Sequence, residues 1–128
     1  MANAKQYVVV GVDDDFRVRE SIESLLESAG YATRVFASAE EFLQSGTLSA
    51  ATCLVTDVRM RETDGIELQR RIRLERPKLP VIFISAHHDE KTRRRAIEDG
   101  AVGFLYKPFD GMDLLEAIKV ALITAEQS

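Results

Sequence analysis

Three consecutive acids, Asp13, Asp14 and Asp15, close the apolar run YVVVGV at positions 7–12. A fourth, Asp57, closes CLVT at 53–56, Ser85 ends VIFIS at 81–85, and Lys107 follows VGFLY at 102–106. Acids this close repel one another, and at the end of a buried strand water screens the repulsion only in part. Selection for stability alone would separate them, so a cation is the natural reason to gather them. Carboxylate oxygens around one point make a hard-oxygen site for Mg2+, with Mn2+ as the alternative ion, because such ions keep several waters and need few protein ligands. A carboxylate beside that ion can attack phosphorus and form an acyl phosphate. A lysine and a hydroxyl suit the phosphoryl oxygens, whose charge must be neutralised. The residue types therefore fit phosphoryl transfer to a carboxylate.

They can act together only if the strands end on one edge. Short β-branched runs at 7–12, 32–36 (ATRVF), 53–56, 81–85 and 102–106 alternate with helical patterns. Val18, Ile22, Leu25, Leu26 and Ala29 recur at helical spacing before Gly30, and Ser38 with Glu41 makes a capping box for a short helix that Gly46 ends. A polar loop and Gly65 lead to a helix through Leu68 and Ile72 that Pro77 terminates. Asp89 caps a helix running to Gly100, and Asp110 caps the last one, with Leu114, Ile118, Ala121, Leu122 and Ala125 on its buried face. Five strands alternating with five helices predict an α/β fold, a doubly wound parallel sheet with right-handed crossovers. In such folds the working site lies at the carboxyl ends of the strands.

The 128 residues make one domain, 1–128, with a core over about 7–125. A net charge of −4 argues against direct nucleic-acid binding, and the arginine runs at 70–73 and 93–95, accompanied by Glu67, Glu75, Glu98 and Asp99, read as solvated helix faces. No stretch approaches the ~20 apolar residues of a membrane span. MANAKQ has no apolar core of a signal peptide and Cys53 has no partner cysteine, which together predict a cytoplasmic location. His87 and His88 lack a third spaced ligand and read as loop residues rather than a metal site. Asp15 is the acid left over and reads as a solvated helix start.

In order and spacing, VDDD, LVTDVRM, FISA and FLYKPF resemble the four blocks of the response-regulator receiver domain, the CheY-like phosphoacceptor of two-component signalling. The resemblance runs from Tyr7 to about Ala125 and implies the flavodoxin-like strand order 2-1-3-4-5. It makes Asp57 the phosphoacceptor, Asp14 and the backbone carbonyl of Arg59 direct Mg2+ ligands beside Asp57, and Asp13 a ligand mainly through water. Ser85 becomes the switch hydroxyl, Lys107 the phosphoryl-binding cation, Phe104 the switch aromatic, and Ala86 the small residue at the site's entry. Arg59 and His87 fall at the two positions that tune phosphoryl lifetime, and the resemblance implies a cis Lys107–Pro108 bond. One departure is Met60-Arg61, where the family usually has Met-Pro.

The Arg59/His87 pair, with SAEEFL and GAVGFLYKPF, is similar to FixJ-type receivers, which precede helix-turn-helix domains. Implied partners are a sensor histidine kinase, a downstream DNA-binding output domain outside this chain, and a second copy in a phosphorylation-dependent homodimer. Such a module accepts phosphate without conventional enzymatic turnover. Two other readings compete. A haloacid-dehalogenase-type Mg2+ phosphatase would use Asp13 and Asp15, but it leaves Asp57 idle and needs a longer chain with a cap. A phosphate-independent adaptor would have no use for Asp13, Asp14, Asp57, Ser85 and Lys107 together.

The helix between Asp89 and Gly100 offers only Ala96 and Ile97 as apolar anchors, with Thr92 half-suited. It is therefore expected to be held less firmly than its neighbours. Arg93 to Arg95 cover nearly a turn, which places at least one near the sheet and argues against an apolar dimer patch here.

Overall fold

A computed structural model of the chain describes residues 7–60 and 64–127. Five strands alternate with five α-helices: β1 (Val8–Val12), α1 (Phe16–Ser28), β2 (Ala32–Phe36), α2 (Ala39–Gln44), β3 (Cys53–Asp57), α3 (Gly65–Glu75), β4 (Val81–Ser85), α4 (Glu90–Glu98), β5 (Gly103–Tyr106) and α5 (Gly111–Glu126). All pairings are parallel, in the order β2-β1-β3-β4-β5. The expected strand order and helix count are both present. β1 and β5 start one residue later than the apolar runs suggest, and β3 extends to include Asp57.

Successive strand residues point to opposite faces, so each strand feeds two cores. Val10, Val12, Leu54 and Phe83 pack with Phe42 of α2 and with Leu68 and Ile72 of α3. Val9, Val55, Ile82 and Ile84 pack with Ile22 and Leu26 of α1 and with Leu114 and Ile118 of α5. Cys53 is buried in the second layer, and burial pushes its thiol up to about 12. This is the small buried hydrophobe expected of it.

Each helix begins on a side chain that accepts an otherwise unpaired N–H: Asp15, Ser38, Asp64, Asp89 and Asp110. Asp15 thus has a defined role, with its carboxylate receiving the Arg17 N–H at 2.9 Å. At α2, Ser38 Oγ accepts from Glu41 N at 3.1 Å, while the Glu41 carboxylate reaches back to Ala37 N rather than to the N–H of Ser38. A short 3-10 turn at Thr47–Ser49 has no counterpart in the helical and extended patterns.

α4 departs from expectation in two respects. Ile97 is 42% exposed instead of anchoring the helix, leaving Ala96 as its buried residue. Arg93, Arg94 and Arg95 are all exposed, so none lies against the sheet. A long arginine side chain gains more from water than from the little apolar surface available there. No helix among the described residues is long and apolar enough to cross a membrane.

Candidate functional site

The parallel ladder continues one residue past three strands, and this carries the polar groups to one edge. Asp13 N donates to Phe36 O at 3.1 Å, Val58 N to Ile84 O at 3.1 Å, and Lys107 N to Ser85 O at 2.7 Å. Asp13, Asp57, Ser85 and Lys107 are therefore held by backbone bonds, not by flexible loops. The Lys107–Pro108 peptide bond is cis.

Lys107 Nζ donates to Asp13 Oδ2 at 2.9 Å and to Asp57 Oδ2 at 3.1 Å. Asp13 is fully buried and Asp57 is 7% exposed, so both pairs lie where water screens weakly. The remaining oxygens are also engaged: Asp13 Oδ1 accepts from Asp15 N at 2.8 Å, and Asp57 Oδ1 from Arg59 N at 3.2 Å. Burial raises the Asp13 carboxyl above the usual carboxylate range, against the lowering effect of Lys107 and the Asp15 N–H, and Asp57 adds to the rise. For Lys107, burial pulls the ammonium down, but its hydrogen bonds and attraction to Asp13 and Asp57 outweigh that and hold it above the ordinary lysine value.

Asp14 is exposed and has no hydrogen-bond partner among the described residues. Asp13, Asp14 and Asp57 each offer an oxygen, and the three lie within 4.8 Å of one another. Three hard oxygens, one without a protein partner, fit a small divalent cation. With Lys107 neutralising one of the three charges, such an ion would meet a net negative pocket.

Ser85 is buried, and its hydroxyl is engaged locally, accepting from His87 N at 3.0 Å and donating to His87 O at 3.1 Å. Ala86 and His87 are exposed beside it. The half-buried Phe104 ring lies 6.1 Å from Phe83 and 5.4 Å from Tyr106. His88 stacks on Tyr106, with ring centroids 4.1 Å apart and planes 11° from parallel. The Arg59 guanidinium reaches the carboxylate of Asp89 at 3.7 Å. Arg61, the departure from Met-Pro, lies outside the described residues, as does the segment Met1–Gln6.

Two residues support the site in ways the sequence pattern does not show: Arg19 is not singled out by it, and Gly65 reads there only as the start of a helix. Arg19 donates to the Asp13 carbonyl at 2.9 Å, bracing the first acidic turn from α1. At Gly65 a Cβ would stand 2.3 Å from Asp57 O and 2.9 Å from Phe83, so α3 can approach the end of β3 only through glycine. The Asp64-Gly65 pair before a helical pattern was its only sequence signal.

The sequence matches the family described as the response regulator receiver domain over residues 9–119. It is 42% identical to the response regulator protein TmoT of Ectopseudomonas mendocina, covering 98% of this chain and 57% of TmoT. It is 37% identical to the transcriptional regulatory protein FixJ of Bradyrhizobium diazoefficiens, covering 90% of this chain and 56% of FixJ. Among solved structures, the response regulator StyR superposes with a TM-score of 0.87 at 39% identity, over 96% of this chain and 62% of StyR. A CheY-like receiver domain from Methanospirillum hungatei superposes at 0.88 with 26% identity, over 96% of this chain and 98% of its own. The chain thus spans about half the length of the curated relatives it matches.

Proposed function

The chain belongs to the response regulator receiver family of two-component signalling, and from that membership we propose that Asp57 is its phosphoacceptor, supplied by a sensor histidine kinase or a small acyl phosphate. The observation that carries this reading is the Lys107 ammonium placed between Asp13 and Asp57, 3.1 Å from the oxygen of the acceptor, beside a three-carboxylate cluster.

Asp14, Asp57 and the Arg59 carbonyl would hold Mg2+ directly, and Asp13 through water. When bound, the ion supplies positive charge for the incoming phosphoryl oxygens. An Asp57 carboxylate oxygen attacks phosphorus, the donor's P–N or P–O bond breaks, and the leaving imidazole or carboxylate departs with its electron pair. Lys107 turns its ammonium from the two carboxylates to a phosphoryl oxygen. The Ser85 hydroxyl exchanges its His87 carbonyl for the phosphoryl group, and Phe104 moves into the space that this leaves. Ala86 keeps the entry open, while Arg59 and His87 border the phosphoryl group and set its lifetime. The single domain is a switch without conventional turnover. It works in the cytoplasm and drives a DNA-binding output domain, through a phosphorylation-dependent homodimer.

Incubation with acetyl phosphate and Mg2+, followed by mapping of the acid-stable, base-labile phosphoryl group, tests the assignment. Modification at Asp57 is expected, and Asp57→Asn should abolish it while leaving the fold intact. Label on Asp13 would instead support a phosphatase, and an unmodified protein an adaptor.

A further inference from the structure

Gln69, on α3, is a polar side chain in an apolar layer and only 2% exposed. Its Nε2 donates to Ala96 O at 3.4 Å and to Asp99 O at 3.3 Å, both carbonyls at the C-terminal end of α4. Two facing carbonyls can only accept, so the amide must present its nitrogen to them and its oxygen away. That oxygen, Oε1, is buried and has no hydrogen-bond partner among the described residues. Both bonds are longer than the usual ~2.9 Å of an N–H···O contact. An amide with two stretched bonds and an orphaned oxygen is a poor way to fill a core, since an apolar side chain of similar length would avoid the unpaired acceptor.

Its value lies in what else holds α4. Ala96 is the buried residue of the helix, and at its N-terminal end Asp89 pairs with Arg59 of the loop after β3. A solvent-open cleft of about 150 Å³, lined in part by Gln69, Arg73, Pro77, Glu98 and Gly100, adjoins the C-terminal end. A closely packed interior resists displacement, whereas an element bordering an open cleft meets no packed neighbour on that side.

We propose that Gln69 is the positioning residue for α4: its amide, rather than apolar packing, sets where α4 rests and how readily it leaves that place when the chain is phosphorylated. The coupling to phosphorylation rests on the Asp57 reading, while the positioning does not.

The test compares the wild type with Gln69→Met and Gln69→Leu, which keep the bulk and remove both the donor and the orphaned oxygen. Without any phosphodonor, the amides of Asp99, Gly100 and Ala101 should exchange about tenfold faster in both variants, while the melting temperature stays level or rises. A plain core filler moves these two readouts in the same direction; a positioning residue moves them apart. Unchanged or stronger protection of α4 overturns the proposal, as does a lower melting temperature with protection lost across the sheet. With acetyl phosphate and Mg2+, labelling should be about threefold faster in the variants, because the resting state loses a hold that the phosphorylated state does not need. Faster exchange with an unchanged labelling rate overturns the coupling alone. A wild type that takes no label on Asp57 refutes the acceptor assignment and leaves the exchange comparison decisive for positioning.

Discussion

At the residue scale the acidic cluster is only partly compensated. Lys107 pairs with Asp13 and Asp57, whereas Asp14 faces them without a partner among the described residues. Two unit charges ~4 Å apart at an effective dielectric near 20 repel by roughly 4 kcal/mol. Exposure of Asp14 and the nearby ammonium reduce the net cost to on the order of 1 kcal/mol. Asp14→Ala should therefore raise the metal-free melting temperature by about 2–6 °C. Millimolar Mg2+ should stabilise the wild type but hardly the variant, because a ligand stabilises only the state that binds it. Thermal melts with and without chelator measure both effects, and a destabilised variant with an intact Mg2+ response would remove Asp14 from the metal site. Asp89 offers a second residue-scale test. Its carboxyl is held below the ordinary value, first by the hydrogen bond from the Thr92 hydroxyl at 2.8 Å, with help from the Lys91 N–H and Arg59. A depressed folded-state pKa means that the stabilisation is complete above the unfolded value near ~3.9 and is lost as pH falls from there through the lower folded value. Asparagine caps a helix without titrating. The stability advantage of wild type over Asp89→Asn should thus shrink below about pH 4. An advantage that stays flat down to acid unfolding would show that the carboxylate charge does not serve the cap.

At the element scale the decisive junction is the one between β3 and α3. Gly65 N donates to Val58 O at 2.8 Å, and the missing side chain lets the first turn of α3 close on the backbone of Asp57. Gly65→Ala would press a methyl group against a carbonyl that cannot yield without moving Asp57. The expected result is a loss of about 1–3 kcal/mol, as for overpacked cores, together with markedly slower phosphorylation. Urea melts and the acetyl phosphate assay read the two effects. A variant as stable and as reactive as wild type would mean that α3 can shift without disturbing Asp57. The same junction explains how helices of unequal firmness serve one site. α3 buries Leu68 and Ile72 among its residues and packs against the strand of Asp57, whereas α4 buries Ala96 and follows Ser85. The helix packed on the strand of Asp57 is firmly anchored, and the one that follows Ser85 is lightly held.

At the scale of the molecule, one sheet divides two cores of comparable make-up. Leu68 belongs to the layer under α2 and α3, Leu114 to the layer under α1 and α5, and both are fully buried. Each Leu→Ala change should cost about 2–5 kcal/mol. Faces of a sheet carry side chains too far apart to share a cavity, so the two losses should add to within about 0.5 kcal/mol. Urea unfolding of the two single variants and the double variant provides the cycle. A coupling well beyond that margin would show that the strands transmit repacking from one layer to the other. Additivity here would also mean that the α1–α5 layer can be altered without retuning α4 across the sheet.

Local pattern alone determined the strands and helices of this protein and their succession along the chain, while the strand order in the sheet followed only from the resemblance to receiver domains. β-branched runs of strand length, acids or serine before each helix and glycine after three of them act over a few residues, so neighbouring positions carry the whole signal. The meeting of Asp13, Asp57 and Lys107 at one place was legible for the same reason, since strands in parallel register deliver their terminal residues to one edge. Only tertiary structure decided that Lys107 bridges Asp13 and Asp57, that a Cβ at Gly65 would strike the Asp57 carbonyl, and that Gln69 is buried against the end of α4. It also turned Ile97 outward and left Arg93 to Arg95 in water, against the reading of α4 from its pattern. These outcomes depend on distances between residues far apart in the chain, and on which of two polar helix faces lies inward. Periodicity fixes a helix's faces only where apolar residues are numerous enough to outweigh the rest, and α4 has too few.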